Sequence, residues 1–187
     1  ESSLRLLETI EGILERTAGE FEAHEQNLKP VNIVKVIEAV FGSLTPKADE
    51  QNIALKYSVS PTCNESVLGQ ERALTQIIKK LTENAIKFSG GSELKVMVVC
   101  AEDKSQVRLI VTDNGKGIME DDLNIVFETF HQDVDSALDA YSGSGIGLTL
   151  VKKYTELIGG SIEVENNLDG GARFTITLNS VEEAVYS

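Results

Sequence analysis

Two glycine clusters, about thirty residues apart, constrain this chain more than any other feature. The first is Asp113-Asn114-Gly115-Lys116-Gly117-Ile118, and the run before it, Val107 to Thr112, has strand composition. A strand alternates its faces with period two, so Val107, Leu109, Val111 and Asp113 share the more apolar face. The Asp113 carboxylate is therefore predicted to point inward at the strand's end. An inward carboxylate needs a donor. A backbone amide or helix N-cap in the next turn supplies one; so does a ligand amino group such as that of adenine. Gly115 and Gly117 fit both readings, either as turn formers or as a backbone without Cβ that a planar ring can approach.

The second cluster, Gly143-Ser144-Gly145-Ile146-Gly147-Leu148, opens a helix. Leu150, Val151, Tyr154, Leu157 and Ile158 follow at helical spacing, and Gly159-Gly160 supplies the C-cap signal. Free amides and the helix dipole make such a start an anion site. A dinucleotide-binding fold would need a strand directly before it, whereas residues 130–142 are polar and acidic. The lysine of a P-loop is missing after Gly147.

The 187 residues suffice for one domain with one substantial core, and 41% hydrophobic content excludes disorder for most of them. A net charge of −13 excludes a nucleic-acid surface, which needs clustered Lys and Arg. No apolar run reaches transmembrane length, so no membrane contact is expected. Starting at Glu1 without methionine, the chain is expected to be an excised fragment. Cys63 and Cys100 are far apart and lack a CxxC pattern, so they read as reduced thiols of a cytosolic protein.

In chain order, residues 3–21 read as an amphipathic helix, either a cap on the domain or the stub of a longer dimerisation helix. His24 reads as a surface residue. A helix is predicted from Val31 to about Ala48, a strand over Ile53–Val59, and a brief edge strand at Val67-Leu68. Residues 71–88 form the most informative helix, with Leu74, Ile77, Ile78, Leu81, Ala85 and Phe88 as its core stripe. Lys80, Asn84 and Lys87 lie along the adjoining face. They form either a solvated polar edge or a site in which Asn84 ligates Mg2+ and a lysine holds phosphate. Leu94–Cys100 and Val107–Thr112 read as a hairpin, followed by a short acidic helix over 120–129 anchored by Phe127 and Phe130. Residues 131–144 are expected to form a mobile lid. Ile162–Val164 and Phe174–Leu178 pair around Asp169-Gly170-Gly171. The whole predicts a two-layer α/β sandwich, a mixed and mostly antiparallel sheet with helices on one face.

These motifs in this order resemble the ATP-binding catalytic domain of sensor histidine kinases, of the superfamily shared with Hsp90, DNA gyrase B and MutL. The family's N box matches Asn84-Ala85-Ile86-Lys87-Phe88, and its G1 box Asp113 to Gly117. Its F box matches Phe127 to Phe130, and its G2 box Gly143 to Leu148. The resemblance implies a Bergerat-type fold over residues 30–180, after the end of a dimerisation helix and linker (1–29) and before a tail (181–187). It implies ATP and Mg2+ as cofactors, with Asn84 as metal ligand and Asn84 and Lys87 as catalytic residues. Nucleotide contacts would come from Asn84, Lys87, Asp113, Gly115, Gly117, Ile118, Phe130, Gly143, Ser144, Gly145, Ile146, Gly147 and Leu148. Implied partners are ATP or ADP, a phosphoacceptor histidine helix in a homodimeric parent, and a response regulator receiver domain. The fragment would be cytoplasmic, its parent anchored in the inner membrane.

This sequence departs from the family pattern at three places. Lys80 stands where a second asparagine is usual, Asp139-Ala140 replace basic lid residues, and Gly69-Gln70 replace Gly-Asp. The alternative reading is therefore a degenerate, nucleotide-gated interaction module. ATP-hydrolysing relatives carry a glutamate general base at the position of Lys80, and an ammonium cannot serve there.

Overall fold

The computed structural model describes residues 28–128 and 147–181. The predicted helix at 3–21, His24, Phe130, His131, the lid and Gly143 to Ile146 lie outside the described residues. Seven strands and three helices are described: β1 (Lys29–Asn32), α1 (Ile33–Glu50), β2 (Ala54–Val59), β3 (Ser66–Gly69), α2 (Glu71–Phe88), β4 (Glu93–Cys100), β5 (Gln106–Asp113), α3 (Gly147–Leu157), β6 (Ser161–Asn166) and β7 (Ala172–Asn179). The main sheet has the order β2-β4-β5-β7-β6, and β1 pairs with β3 in a two-stranded sheet. Only β2 and β4 run parallel; the other neighbours are antiparallel, as predicted for a mixed sheet.

Alternation along the strands decides which face is covered. Leu94, Val96 and Val98 of β4, Val107, Leu109 and Val111 of β5, and Phe174, Ile176 and Leu178 of β7 are buried. They join Ile33, Ile37, Val40, Leu74, Ile77, Ile78, Leu81 and Val151 of the helices in one core. The residues between them, such as Lys95 and Arg108, are exposed. The α2 helix packs between α1 and α3, while α1 meets β2 and α3 meets β6. No helix among the described residues is long and apolar enough to cross a membrane.

Three expectations need correction. Val31 lies in β1, opposite Val67, and the helix starts at Ile33. The reason is local: Asn32 is the N-cap, and its side chain accepts the Lys35 N–H at 3.0 Å. Residues 120–128 are a chain of turns and not a helix. Asp122, Ile125 and Glu128 each donate to the carbonyl three residues back, and Asp121, Asp122 and Asn124 favour such turns over a continuous helix. The Phe127 anchor does hold: its ring meets Phe174 edge-on at 6.4 Å.

Cys63 and Cys100 are not free thiols but form a disulfide, with Cα atoms 5.0 Å apart. Their separation of 37 residues hides a spatial adjacency. The β2 and β4 strands run parallel, so the loop leaving β2 meets the end of β4. The pairing removes the cysteines as an argument for a reducing compartment.

Candidate functional site

The site is built where the carboxyl end of β5 meets the end of α2 and the β6–β7 turn. Asp113 is 8% exposed and points into the core side of the sheet, in phase with Val107, Leu109 and Val111. Its Oδ1 accepts the Gly115 N–H at 2.9 Å, so the backbone remedy is realised. Burial raises the pKa of Asp113 above the usual carboxylate value, and the Gly115 and Ala172 amides counteract the rise. A carboxylate has more acceptor capacity than these amides use.

The loop after Asp113 is held from three sides. The Ser89 carbonyl, at the C-cap of α2, accepts the Lys116 N–H at 2.8 Å. Asn114 Oδ1 accepts the Ser92 and Glu93 N–H groups, each at 2.9 Å. Asn166 brackets Ile118: its Oδ1 accepts the Ile118 N–H at 2.8 Å and its Nδ2 donates to the Ile118 carbonyl at 2.6 Å. Asn167 Nδ2 donates to the Asp113 carbonyl at 3.2 Å. The same contacts explain the glycines. A Cβ on Gly115 would stand 1.9 Å from the Ser89 carbonyl oxygen, and one on Gly171 2.0 Å from the Asp113 carbonyl oxygen. Gly117 has φ +76°, with Asn166 Oδ1 2.7 Å from the place of a Cβ. Their lack of side chains is thus required by the chain's own packing. Gly147 differs: among the described residues a Cβ there would meet nothing within 4 Å.

Of the residues singled out in the sequence, Asp113, Gly115, Gly117 and Ile118 share this loop, and Asn84 and Lys87 ride the last turns of the helix bonded to it. Gly147 and Leu148 stand at the first described turn of α3, which packs along α2. Sequence reasoning missed Ser89, Asn114, Asn166 and Asn167, which clamp the loop. The adjacent asparagines before Asp169-Gly170-Gly171 were a signal of the turn but not of its partner, Ile118, 48 residues away from Asn166.

The surroundings of Asn84 bear on metal binding. Lys80 stands one turn before Asn84 and Lys87 just under one turn after it. Burial lowers the Lys80 pKa, Glu83 counteracts this, and the ammonium groups of Lys79 and Lys87 lower it further. Three cations and one carboxylate therefore act on one another at Lys80, one turn from Asn84. Mg2+ takes hard oxygen donors in octahedral geometry, and no group of three or more His, Cys, Asp or Glu side chains suited to a metal exists among the described residues. The side chains around Asn84 thus offer no all-protein cage for Mg2+, and the cations beside it suit a polyanion.

Comparison with known proteins agrees with this fold. Residues 69–182 match the family described as "Histidine kinase-, DNA gyrase B-, and HSP90-like ATPase". The circadian input-output histidine kinase CikA of Synechocystis is 32% identical over 180 residues, covering 95% of this chain and 24% of that protein. The sensor histidine kinase AruS of Pseudomonas aeruginosa is 33% identical over 142 residues, 74% of this chain and 14% of that protein. This chain thus spans a quarter or less of these relatives. The structure of full-length ShkA in complex with AMPPNP superposes with TM-score 0.70 at 27% identity, covering 83% of this chain and 32% of that one. The mycobacterial sensor histidine kinase MprB superposes with TM-score 0.68 at 25% identity, covering 82% of this chain and 97% of that one. The chain belongs to the histidine kinase-, DNA gyrase B- and Hsp90-like ATPase family. Within it, the fold and the relatives are those of the ATP-binding catalytic domains of sensor histidine kinases.

Proposed function

We propose that residues 30–180 bind ATP and pass its γ-phosphoryl group to a histidine outside this chain, in a homodimeric, membrane-anchored sensor kinase that signals to a response regulator. The observation that carries the reading is the inward, half-satisfied carboxylate of Asp113 at the end of β5. It can receive the exocyclic amino group of adenine, while the clamped loop from Gly115 to Ile118 forms the wall beside the base. Lys87 is exposed on the last turn of α2, free to reach phosphate. Among the described residues nothing packs where a Gly147 Cβ would stand. A phosphate tail can lie against that backbone at the start of α3. Gly143 to Ile146 would continue the same cradle, and Phe130 would flank it.

In the reaction, a histidine nitrogen lone pair forms a bond to the γ-phosphorus as the bond to the bridging β–γ oxygen breaks. ADP leaves with that electron pair, and the imidazole proton passes to solvent. Such transfer needs positioning and charge neutralisation more than covalent chemistry, and cations at the end of α2 supply the second. The half-buried ammonium of Lys80 favours a second reading, a domain that holds nucleotide and transfers phosphate slowly.

Calorimetric titration with ADP, ATP and GTP tests the proposal. GTP carries a carbonyl oxygen where adenine carries its amino group, so it should bind about tenfold more weakly or worse. Equal binding of GTP and ATP would refute the role of Asp113. Incubation with labelled ATP alone should leave the chain unlabelled, because His24 and His131 are its only histidines and neither belongs to a predicted phosphoacceptor helix. Acid-labile label on His24 would contradict that.

A further inference from the structure

We propose that Lys80 is a phosphate-binding residue of the nucleotide site, so that this domain holds ATP and ADP with little dependence on a divalent cation. The inference rests on the ATP-binding reading and goes beyond it. It starts from α2, where Lys80, Asn84 and Lys87 succeed one another on one side of the helix. The end of this helix is bonded through the Ser89 carbonyl to the loop that follows Asp113. A ligand whose base meets Asp113 therefore has its tail within the field of that side of α2.

Lys80 is half-buried and makes no ion pair with a described residue. Glu83 offsets its charge through space, but Lys79 and Lys87 act in the opposite sense. A partly desolvated ammonium among other ammonium groups is unfavourable unless an anion joins it. The chain carries a net charge of −13, so this cationic patch stands against the sign of the whole molecule. A di- or triphosphate supplies what the patch lacks, several charges on flexible oxygens. A divalent cation beside Asn84 would instead meet repulsion from Lys80 and Lys87. The phosphate charge normally neutralised by metal is here neutralised by the protein.

Calorimetric titration of ADP and ATP, each in Mg2+ and in EDTA, decides the matter for wild type, Lys80→Gln and Lys80→Asn. Far-ultraviolet circular dichroism and thermal melting establish that both variants fold. Wild type should bind each nucleotide within about threefold with and without Mg2+, whereas Lys80→Gln should lose about tenfold or more in EDTA. Lys80→Asn should recover affinity when Mg2+ is added, because the repelling charge is gone and a hard oxygen replaces it. Wild type binding Mg2+–ATP about tenfold or more tightly than metal-free ATP would overturn the proposal. So would unchanged affinity of Lys80→Gln in EDTA; in either case nucleotide binding as such would stand. A wild-type chain that binds neither nucleotide in either buffer would remove the ATP-binding reading itself.

Discussion

Replacing Asp113 by asparagine separates what this residue does for the fold from what it does for a ligand. In the fold, Oδ1 accepts the Gly115 N–H at 2.9 Å, and an asparagine oxygen can do the same. The Ala172 amide also favours the charged carboxylate, and the variant forgoes that. Against this loss, the substitution removes a charge that burial disfavours. The two effects oppose each other, so unfolding stability at pH 7 should change by no more than about 1 kcal/mol. Toward the ligand nothing offsets the change: an NH2 group stands where an acceptor stood, facing the adenine amino group. Loss of a hydrogen bond to a charged acceptor weakens binding by about 1.5–3 kcal/mol, roughly ten- to hundredfold in Kd.

The pH dependence has a definite sign. The folded pKa of Asp113 is raised, so protonation favours the folded state. This contribution is fully present below the unfolded pKa, near 3.9, and is lost as pH rises through the folded value. Wild type should therefore gain stability relative to Asp113→Asn as pH falls from 7 toward 4. Urea unfolding across that range and ADP calorimetry at pH 7 are the assays. Unchanged ADP affinity would refute the ligand role; a loss of several kcal/mol of stability would show that the carboxylate is structural.

Reduction of the Cys63–Cys100 disulfide should lower stability by about 3.8 kcal/mol, the loop-closure value for a separation of 37 residues. Urea unfolding with and without dithiothreitol measures it, and the Cys63→Ala, Cys100→Ala double variant should be insensitive; a wild type equally indifferent to reductant would contradict the pairing. Gly171→Ala places a Cβ 2.0 Å from the Asp113 carbonyl oxygen at φ +87°, and should destabilise by roughly 2–4 kcal/mol. Gly147→Ala meets nothing within 4 Å among the described residues and should leave melting nearly unchanged while weakening ATP binding. If both glycine variants melt like wild type, the contact of the β6–β7 turn with Asp113 is not as close as the structure has it.

The local physics of the chain was enough for most of the strands and helices and for the inward phase of Asp113, though not for the turns over 120–128 or for β1. Period-two alternation in β4, β5 and β7 and the apolar stripe of α2 are properties of consecutive residues, legible without a partner. The order of the glycine clusters and the N box was likewise a linear property, and it pointed to the family. What depended on chain crossings was hidden. The parallel pairing of β2 with β4 brings Cys63 to Cys100, and no spacing rule encodes it. Asn166 reaches Ile118 because β6 and β7 return to the end of β5. The short β1–β3 ladder overrode the helical start expected at Val31, because Val31 finds a partner only when Val67 is brought opposite it. Even Gly115 changed meaning with tertiary structure: a glycine that could have made room for a ring first makes room for the Ser89 carbonyl. Side-chain periodicity is set by the backbone's own geometry. Which distant groups satisfy a buried donor or fill the space beside a glycine is set only when the sheet closes on itself.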